Sequence, residues 1–427
     1  MARGKAWDMA DDTLFLLLEG YGWLPAQRRR AAGEVARVRL MGRRAAGICG
    51  PEAARFFYEE DGIRRGGAVP GMVRSTLFGQ TAVHTLDGAE HRARKAILLP
   101  LLDGAGVADL VRHAVAAWDR EVPAWRQRRR VVLFDRAARV LASAVYAWAG
   151  LPFDDSDAPA AAADMVALVD GFATVGPRHW RARRARRRRE AWLGGLVRQA
   201  RSGTLGIRSG TPAHAVIRHR DSDGALLDRR VAAVELLNLL RPTVAVAWFV
   251  AFAAHALHRH PGHRARLAGG DAAFTEAFVH ELRRFYPFTP FVGGVAVTDL
   301  AYRGEPIPEG TLVLLDVYGQ LHDPAVWEDP YAFSPDRFLG RRPGPYELIP
   351  QGGGHPATGH RCPGEDATVE LLKALVPRLA ALDYRVPDQD LAISLRRVPA
   401  RVASGFVLDD VRTPVSSPTL GTPGVPA

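Results

Sequence analysis

Gln351-Gly-Gly-Gly-His-Pro-Ala-Thr-Gly-His-Arg-Cys-Pro-Gly-Glu365 is the stretch on which the fold turns, and Cys362 is its centre. Three consecutive glycines, Gly352 to Gly354, free the backbone for positive φ and for close approach to a flat ligand, because no Cβ stands in the way. Beyond Pro363-Gly364-Glu365 come Val369, Leu371, Leu372, Leu375, Val376 and Leu379, apolar at helical spacing with proline near the first turn. The sulfur is thus expected at a helix N-terminus. Unpaired amides there, with His360 and Arg361 just before, lower a thiol's pKa and favour the thiolate that a metal needs. A lone cysteine is more often a buried structural residue, but the glycines and the basic neighbours argue against that. Zinc held by His355, His360 and Cys362 would lack the usual paired spacings, and a phosphate loop would need Gly-Lys-Ser/Thr after the glycines.

The second anomaly is Arg241-Pro242, in the middle of a segment, Asp228 to His260, that reads as one long helix apolar almost all round and therefore buried. A membrane span is the competing idea. Glu235, Asn238, Arg241 and Pro242 interrupt it, and the clean remainder, Val244 to Leu257, is too short to cross a bilayer. Proline there removes one intrahelical bond and frees the Asn238 carbonyl, so a local distortion is expected. A guanidinium in such company is costly without a carboxylate partner. Glu235, another protein acid or the carboxylate of a substrate would each serve, and the residues leave these open.

The Cys362 loop resembles the cysteine-ligand loop of cytochrome P450, and specifically that of the fatty-acid peroxygenase and decarboxylase branch. Most of the superfamily has Phe seven residues before the cysteine and Gly four before it; His355 and Thr358 stand there instead, and the triple glycine with Gly-His-Arg-Cys-Pro-Gly-Glu is what the branch shows. Ordinary members carry an acid-alcohol pair in the long helix to deliver protons to oxygen. Glu235-Leu-Leu-Asn-Leu-Leu-Arg-Pro242 lacks it and matches the branch.

The resemblance implies the mainly α cytochrome P450 fold with a small β region (α+β), covering residues 1–411 as one haem domain. It implies haem b with Cys362 as axial thiolate and metal ligand, Gly353 and Gly364 against the cofactor, and His91 and Lys95 toward its propionates. It further implies Arg241 and Pro242 in catalysis, with Arg241 on the carboxylate of a fatty-acid substrate and hydrogen peroxide as oxidant, no redox partner being required. Val83-His84-Thr85-Leu86-Asp87-Gly88 resembles the branch's distal loop, where mainly hydroxylating members carry Gln and the alkene-forming type carries His, so His84 joins the catalytic set. Phe78 and Phe172, the latter in Gly171-Phe-Ala-Thr-Val-Gly-Pro-Arg178, resemble residues bordering the substrate pocket. Glu281-Leu-Arg-Arg284 with Arg337 resembles the family's structural Glu-Arg-Arg triad.

On pattern alone, His91 and Lys95, four apart on a helix that also carries Arg94, are an exposed basic face, and a histidine on a turn is a surface residue. The nearly unbroken arginine run from Arg181 to Arg189 reads as a solvated helix face. Val35 to Ile48 reads as a strand, a turn at Gly42 and a second strand, and Gly50-Pro51 opens a helix through Phe56 and Phe57. Val107 to Leu151 and Ala160 to Leu196 read as helices. Tyr286-Pro-Phe-Thr-Pro-Phe291 must run extended past two prolines, so its aromatics, Phe288 among them, are expected in the pocket lining. Leu300 to Asp316 reads as a hairpin about Gly304 and Gly310, and Leu391 to Leu408 as a final strand pair. The tail from Arg412 to Ala427, rich in Pro, Ser, Thr and Gly, is expected to be disordered.

Composition adds bounds. The chain has 427 residues, 47% hydrophobic, enough for a large core. Two cysteines, Cys49 and Cys362, give no disulfide framework and suit a reducing compartment. The net charge of +11 invites nucleic acid, yet only Lys5, Lys95 and Lys373 are lysines among 57 basic residues, which with abundant Ala, Gly and Pro reflects compositional bias. No aromatic interleaving supports nucleic-acid binding. Met1 to Ala10 lacks secretory-signal features, so a cytoplasmic protein without a membrane span is expected. Two rival functions stand beside peroxide-driven fatty-acid oxidation: a reductase-fed monooxygenase on another acid, and a non-catalytic haem sensor or fatty-acid binder.

Overall fold

The computed structural model describes residues 10–221 and 224–412. Its axis is the helix Arg229–Arg259, started by Asp228, whose side chain accepts from the amides of Arg230 (2.7 Å) and Val231 (3.4 Å) and so satisfies two of the orphan donors of a helix N-terminus. The helix continues through Pro242 without a break. Helices Leu133–Ala149, Ala158–Asp170, Pro177–Arg201 and Glu365–Ala381 pack around it. It is long and apolar enough to cross a membrane, but 89% of its most apolar window is buried inside the protein, as in a core helix. Each fully buried Leu, Val or Phe on it contributes roughly 1.5–3 kcal/mol, so packing holds it more than propensity does.

The segment 107–151 resolves into Gly104–Arg126 and Leu133–Ala149, separated by the strand Arg130–Val132. The segment 160–196 likewise divides between Ala158–Asp170 and Pro177–Arg201. Gly176 takes φ +72° and Pro177 can begin a helix but not continue one, which fixes that second break and leaves a loop carrying Phe172. The arginine run that follows is not simply a solvated face. Arg186 is buried and donates to the carbonyls of Thr76 (2.9 Å) and Leu77, while Arg188 and Arg189 both hold the buried carboxylate of Asp164. Helical spacing turns part of any such run inward, and these arginines meet oxygen acceptors there.

A five-stranded sheet stands beside the helices in the order Ala36–Leu40, Arg43–Ile48, Leu312–Asp316, Phe291–Ala296, Ile63–Arg64. The first pair is the expected hairpin, turned by Met41 and Gly42, both at positive φ. The hairpin expected over Leu300 to Asp316 is shorter. Leu300–Tyr302 pairs with Glu305–Ile307 about Gly304, but Leu312–Asp316 leaves it to run parallel to Arg43–Ile48 and antiparallel to Phe291–Ala296. All five of its residues are buried, and a strand apolar on both faces belongs in the middle of a sheet. The expected pair within Leu391 to Leu408 is reduced to one bridge, Ile393 to Val402, because a turn at Ser394 to Arg397 diverts the chain. Val407–Arg412 pairs instead with Arg130–Val132 and Asp383–Arg385. Arg412 thus ends a strand and does not begin the tail; residues 413–427, and 1–9 at the other end, lie outside the described residues.

The Glu-Arg-Arg triad forms. Arg284 donates to both carboxylate oxygens of Glu281 (2.6 and 2.7 Å), and Arg337 approaches the same carboxylate at 3.2 Å.

Candidate active site

Cys362 stands just ahead of the helix Glu365–Ala381, which is capped by Gly364, and its amide donates to the Gln351 carbonyl at 3.0 Å. Gly352 and Gly354 adopt φ of +96° and +82°, as the glycine run predicts. What crowds them is protein: a Cβ on Gly352 would come 2.7 Å from the Tyr58 hydroxyl, and one on Gly353 would come 3.0 Å from the Tyr346 ring. A Cβ on Gly364 would meet only ordinary contacts, Leu102 at 3.8 Å and the Cys362 sulfur at 4.0 Å. Glu365 pins the loop by accepting from Arg361 at 2.6 Å and from Arg283, which also reaches Gln351 at 3.1 Å. The Cys362 thiol is pushed up, contrary to the expectation from its helix terminus. Burial disfavours the charged form more than the Gly364 amide, Lys95 and Arg241 favour it. Among the described residues no group of three or more His, Cys, Asp or Glu side chains could hold a metal ion, so a zinc site of His355, His360 and Cys362 does not form.

The helix Gly88–Lys95 brings two of its basic residues against this loop. Lys95 is buried and donates to the carbonyls of Gly359 (2.5 Å) and Arg361 (2.7 Å). Burial lowers its pKa to about 8. His91 is buried and stacks on His360 with ring centres 3.9 Å apart; burial first and then the Lys95 charge lower its pKa to about 4, so it is neutral and the face is less cationic than its sequence suggests. Arg94 turns the other way, toward Glu235. Arg65, which the sequence reading missed, is buried beside them, donating to the Gly293 carbonyl at 2.9 Å with its guanidinium 4.0 Å from the centre of the Phe57 ring. Only its tertiary neighbours mark it, since Arg64-Arg65 is otherwise an ordinary basic pair in a strand and turn.

The other half of the site comes from the long helix and two loops. Arg241 is 6% exposed, donates one bond to Asn238 Oδ1 at 3.3 Å, and among the described residues has no partner for its Nε. Glu235 is not its counter-ion. That carboxylate is fully buried and engaged by the Val83 amide (3.0 Å), Arg94 (3.2 Å) and Asn238 (3.4 Å). Burial and then the neighbouring Arg186 charge lower the Arg241 pKa to about 9, so it is cationic at neutral pH. Pro242 follows within the helix, and the adjacent Thr243 hydroxyl is occupied by the Leu239 carbonyl at 3.2 Å.

Phe78 gathers the remainder. Its ring lies 4.7 Å from His84 and 5.6 Å from Phe172, with the Arg241 guanidinium 5.9 Å above it. His84 is reachable by solvent yet enclosed by so much protein that burial, and then Arg241, lower its pKa to about 3, as expected of a ring lining a deep internal cleft. It is therefore a neutral hydrogen-bonding group. Phe288 does not join this cluster. It packs on Trp248 and Phe249, further along the long helix, with ring centres at 6.2 and 5.2 Å.

Arg241 and Cys362 each act on the other's ionisation, and Lys95 acts on both Cys362 and His84, so the two halves face one another. Arg65, Lys95 and Arg241 are buried cations, and among the described residues none has a carboxylate within ion-pair distance. Such cations are costly alone. A flat cofactor bearing carboxylates, with a thiolate for its metal, fits this donor set, and a haem meets that description. Fold and site together define a haem-thiolate oxidoreductase.

Comparison with known proteins agrees. The cytochrome P450 family profile matches residues 271–398. A solved structure of cytochrome P450SP alpha (CYP152B1) in complex with (R)-ibuprofen is 41% identical, covers 95% of this chain and 100% of its own, and superposes with a TM-score of 0.91. The ligand-free structure of cytochrome P450 OleT is 33% identical, covers 96% and 99%, and has a TM-score of 0.92. A more distant relative, probable cytochrome P450 4e1 of Drosophila melanogaster, is 29% identical over 34% of this chain and 30% of its own length. The chain belongs to the cytochrome P450 family, in its fatty-acid peroxygenase and decarboxylase branch.

Proposed function

We propose that this protein uses hydrogen peroxide to oxidise fatty acids, giving 2- or 3-hydroxy acids and, in part, terminal alkenes. The observation that carries the reading is Arg241: a buried cation whose Nε is unpartnered among the described residues, beside Phe78 and His84, with the Glu235 carboxylate of the same helix already committed to Arg94. A fatty-acid carboxylate would supply the missing acceptor through charge-assisted bonds, with Phe78 and Phe172 against the chain. Haem b, ligated by Cys362 with Lys95, Arg65 and His91 near its propionates, would supply the oxidising chemistry, the thiolate favouring O–O cleavage.

Splitting peroxide requires a proton to move from its near oxygen to its far one. Thr243 is back-bonded to the helix, and neutral His84 can donate a hydrogen bond but is not an acid near pH 7. The carboxylate oxygen held by Arg241 can take that proton and return it, making the substrate its own acid-base catalyst. Both outcomes balance. One acid and one peroxide give a hydroxy acid and water, or a terminal alkene, carbon dioxide and two waters.

The test is incubation with peroxide alone and a panel of fatty acids, with product analysis. Turnover without a reductase is expected. Strict dependence on a reductase, or binding without turnover, would favour one of the rival functions. A short carboxylic acid added as a decoy should allow oxidation of a molecule that lacks a carboxylate. His84→Gln should move products toward hydroxy acids, and an unchanged alkene fraction would remove His84 from that role.

A further inference from the structure

Glu235 is the only acidic residue of the helix Arg229–Arg259, is wholly shielded from solvent, and has no part in the chemistry above. Its two oxygens serve different groups. Oε1 accepts from the Val83 amide at 3.0 Å and from Arg94 at 3.2 Å, while Oε2 accepts from the Asn238 side-chain amide at 3.4 Å. Asn238 then offers its own Oδ1 to Arg241 at 3.3 Å.

A primary amide has one donating and one accepting end, so a carboxylate on the NH2 end obliges the carbonyl to face the guanidinium. Without that carboxylate the amide gains freedom to rotate and turn donor against donor. Val83 opens the short helical turn Val83–Thr85 that carries His84, so the same carboxylate also anchors that turn. Arg94 meanwhile balances the Glu235 charge, leaving the charge of Arg241 for a ligand.

We propose that Glu235 is a positioning residue that aims Arg241 at the substrate carboxylate through Asn238 and sets His84 through Val83. The proposal rests on the assignment of the substrate carboxylate to Arg241.

A double-mutant cycle tests it, reading the affinity of the holoenzyme for a saturated fatty acid such as dodecanoate by calorimetric titration, without turnover. Glu235→Gln should weaken binding about tenfold in the wild-type background, the size expected of a disturbed hydrogen bond to a charged group, and should have almost no further effect in an Arg241→Ala background. A merely structural role would weaken both backgrounds equally, and that additivity overturns the proposal. Asn238→Leu, which keeps the contacts of Glu235 to Arg94 and Val83, should weaken binding similarly while leaving the product distribution closer to wild type than Glu235→Gln does. If Glu235→Gln does not fold, Glu235→Asp, which keeps the charge but draws it back from Asn238, takes its place in the cycle and is judged by the same criterion. Wild-type affinity in Arg241→Ala would refute the assignment of the substrate carboxylate itself, and the role of Glu235 would fall with it.

Discussion

Two buried arginines, Arg284 and Arg241, illustrate opposite uses of one side chain. Arg284 is fully buried and every arm of it is engaged: both oxygens of Glu281, and the carbonyls of Leu321 (2.8 Å), Pro330 (2.7 Å) and Ala332 (3.1 Å). Arg241 is almost as deep, yet among the described residues it has one long bond to Asn238 and an Nε with none. A desolvated cation with all its donors satisfied ties distant segments together, here a helix to the loop 321–334. One with donors to spare keeps a cost that a ligand can relieve. Charge and burial are nearly the same at the two positions; what differs is the count of acceptors.

The contrast is broken most severely at the structural arginine. Glu281→Ala leaves Arg284 buried without its carboxylate and should destabilise the protein by about 3–5 kcal/mol, measured by denaturant unfolding of the haem-loaded protein. A loss below about 1 kcal/mol, the size of a surface pair, would mean that the triad is dispensable.

Arg241→Ala should do the reverse. Peroxide-driven fatty-acid oxidation should fall about a hundredfold or more in kcat/KM, equivalent to roughly 3 kcal/mol, through loss of charge-assisted bonds and of the acid-base they position. The melting temperature should be unchanged or higher, because an unpaired buried charge is removed. Haem incorporation should persist, and the reduced carbon monoxide complex should keep the red-shifted Soret band of thiolate ligation. Wild-type activity, or a collapse in stability like that of Glu281→Ala, would erase the distinction.

A smaller effect comes from pH. Burial lowers the Arg241 pKa from its ordinary 12.5 to about 9, and a guanidinium is charged only below its pKa. Its attraction for a carboxylate is therefore fully present at pH 7 and declines as pH rises through about 9. The pH profile of kcat/KM, which reports the free enzyme, should fall on that alkaline limb. The profile of Arg241→Ala should lack the fall, and a wild-type profile flat to about pH 10 would mean that Arg241 keeps its charge by another partner.

What the sequence determined by itself is confined to short-range arrangements. The Cys362 loop, the helix after it, the intervals Glu281 to Arg284 and Arg241 to Pro242, and the turn at Gly42 are all settled within a few residues, where backbone geometry and helical spacing are decisive. The long helix was legible because it is apolar on every face.

Tertiary structure decided whatever depends on a distant partner. Glu235 finds Arg94 and not Arg241; Arg186 turns inward to Thr76 and Leu77; Leu312–Asp316 joins the centre of a sheet; Arg65 comes to lie near His91. Ionisation belongs there too. Cys362 and His84 stand in sequence contexts that suggest a low thiol pKa and an ordinary imidazole, but desolvation raises the one and lowers the other. The cost of removing a group from water is set by everything that surrounds it, and most of what surrounds these residues comes from other parts of the chain.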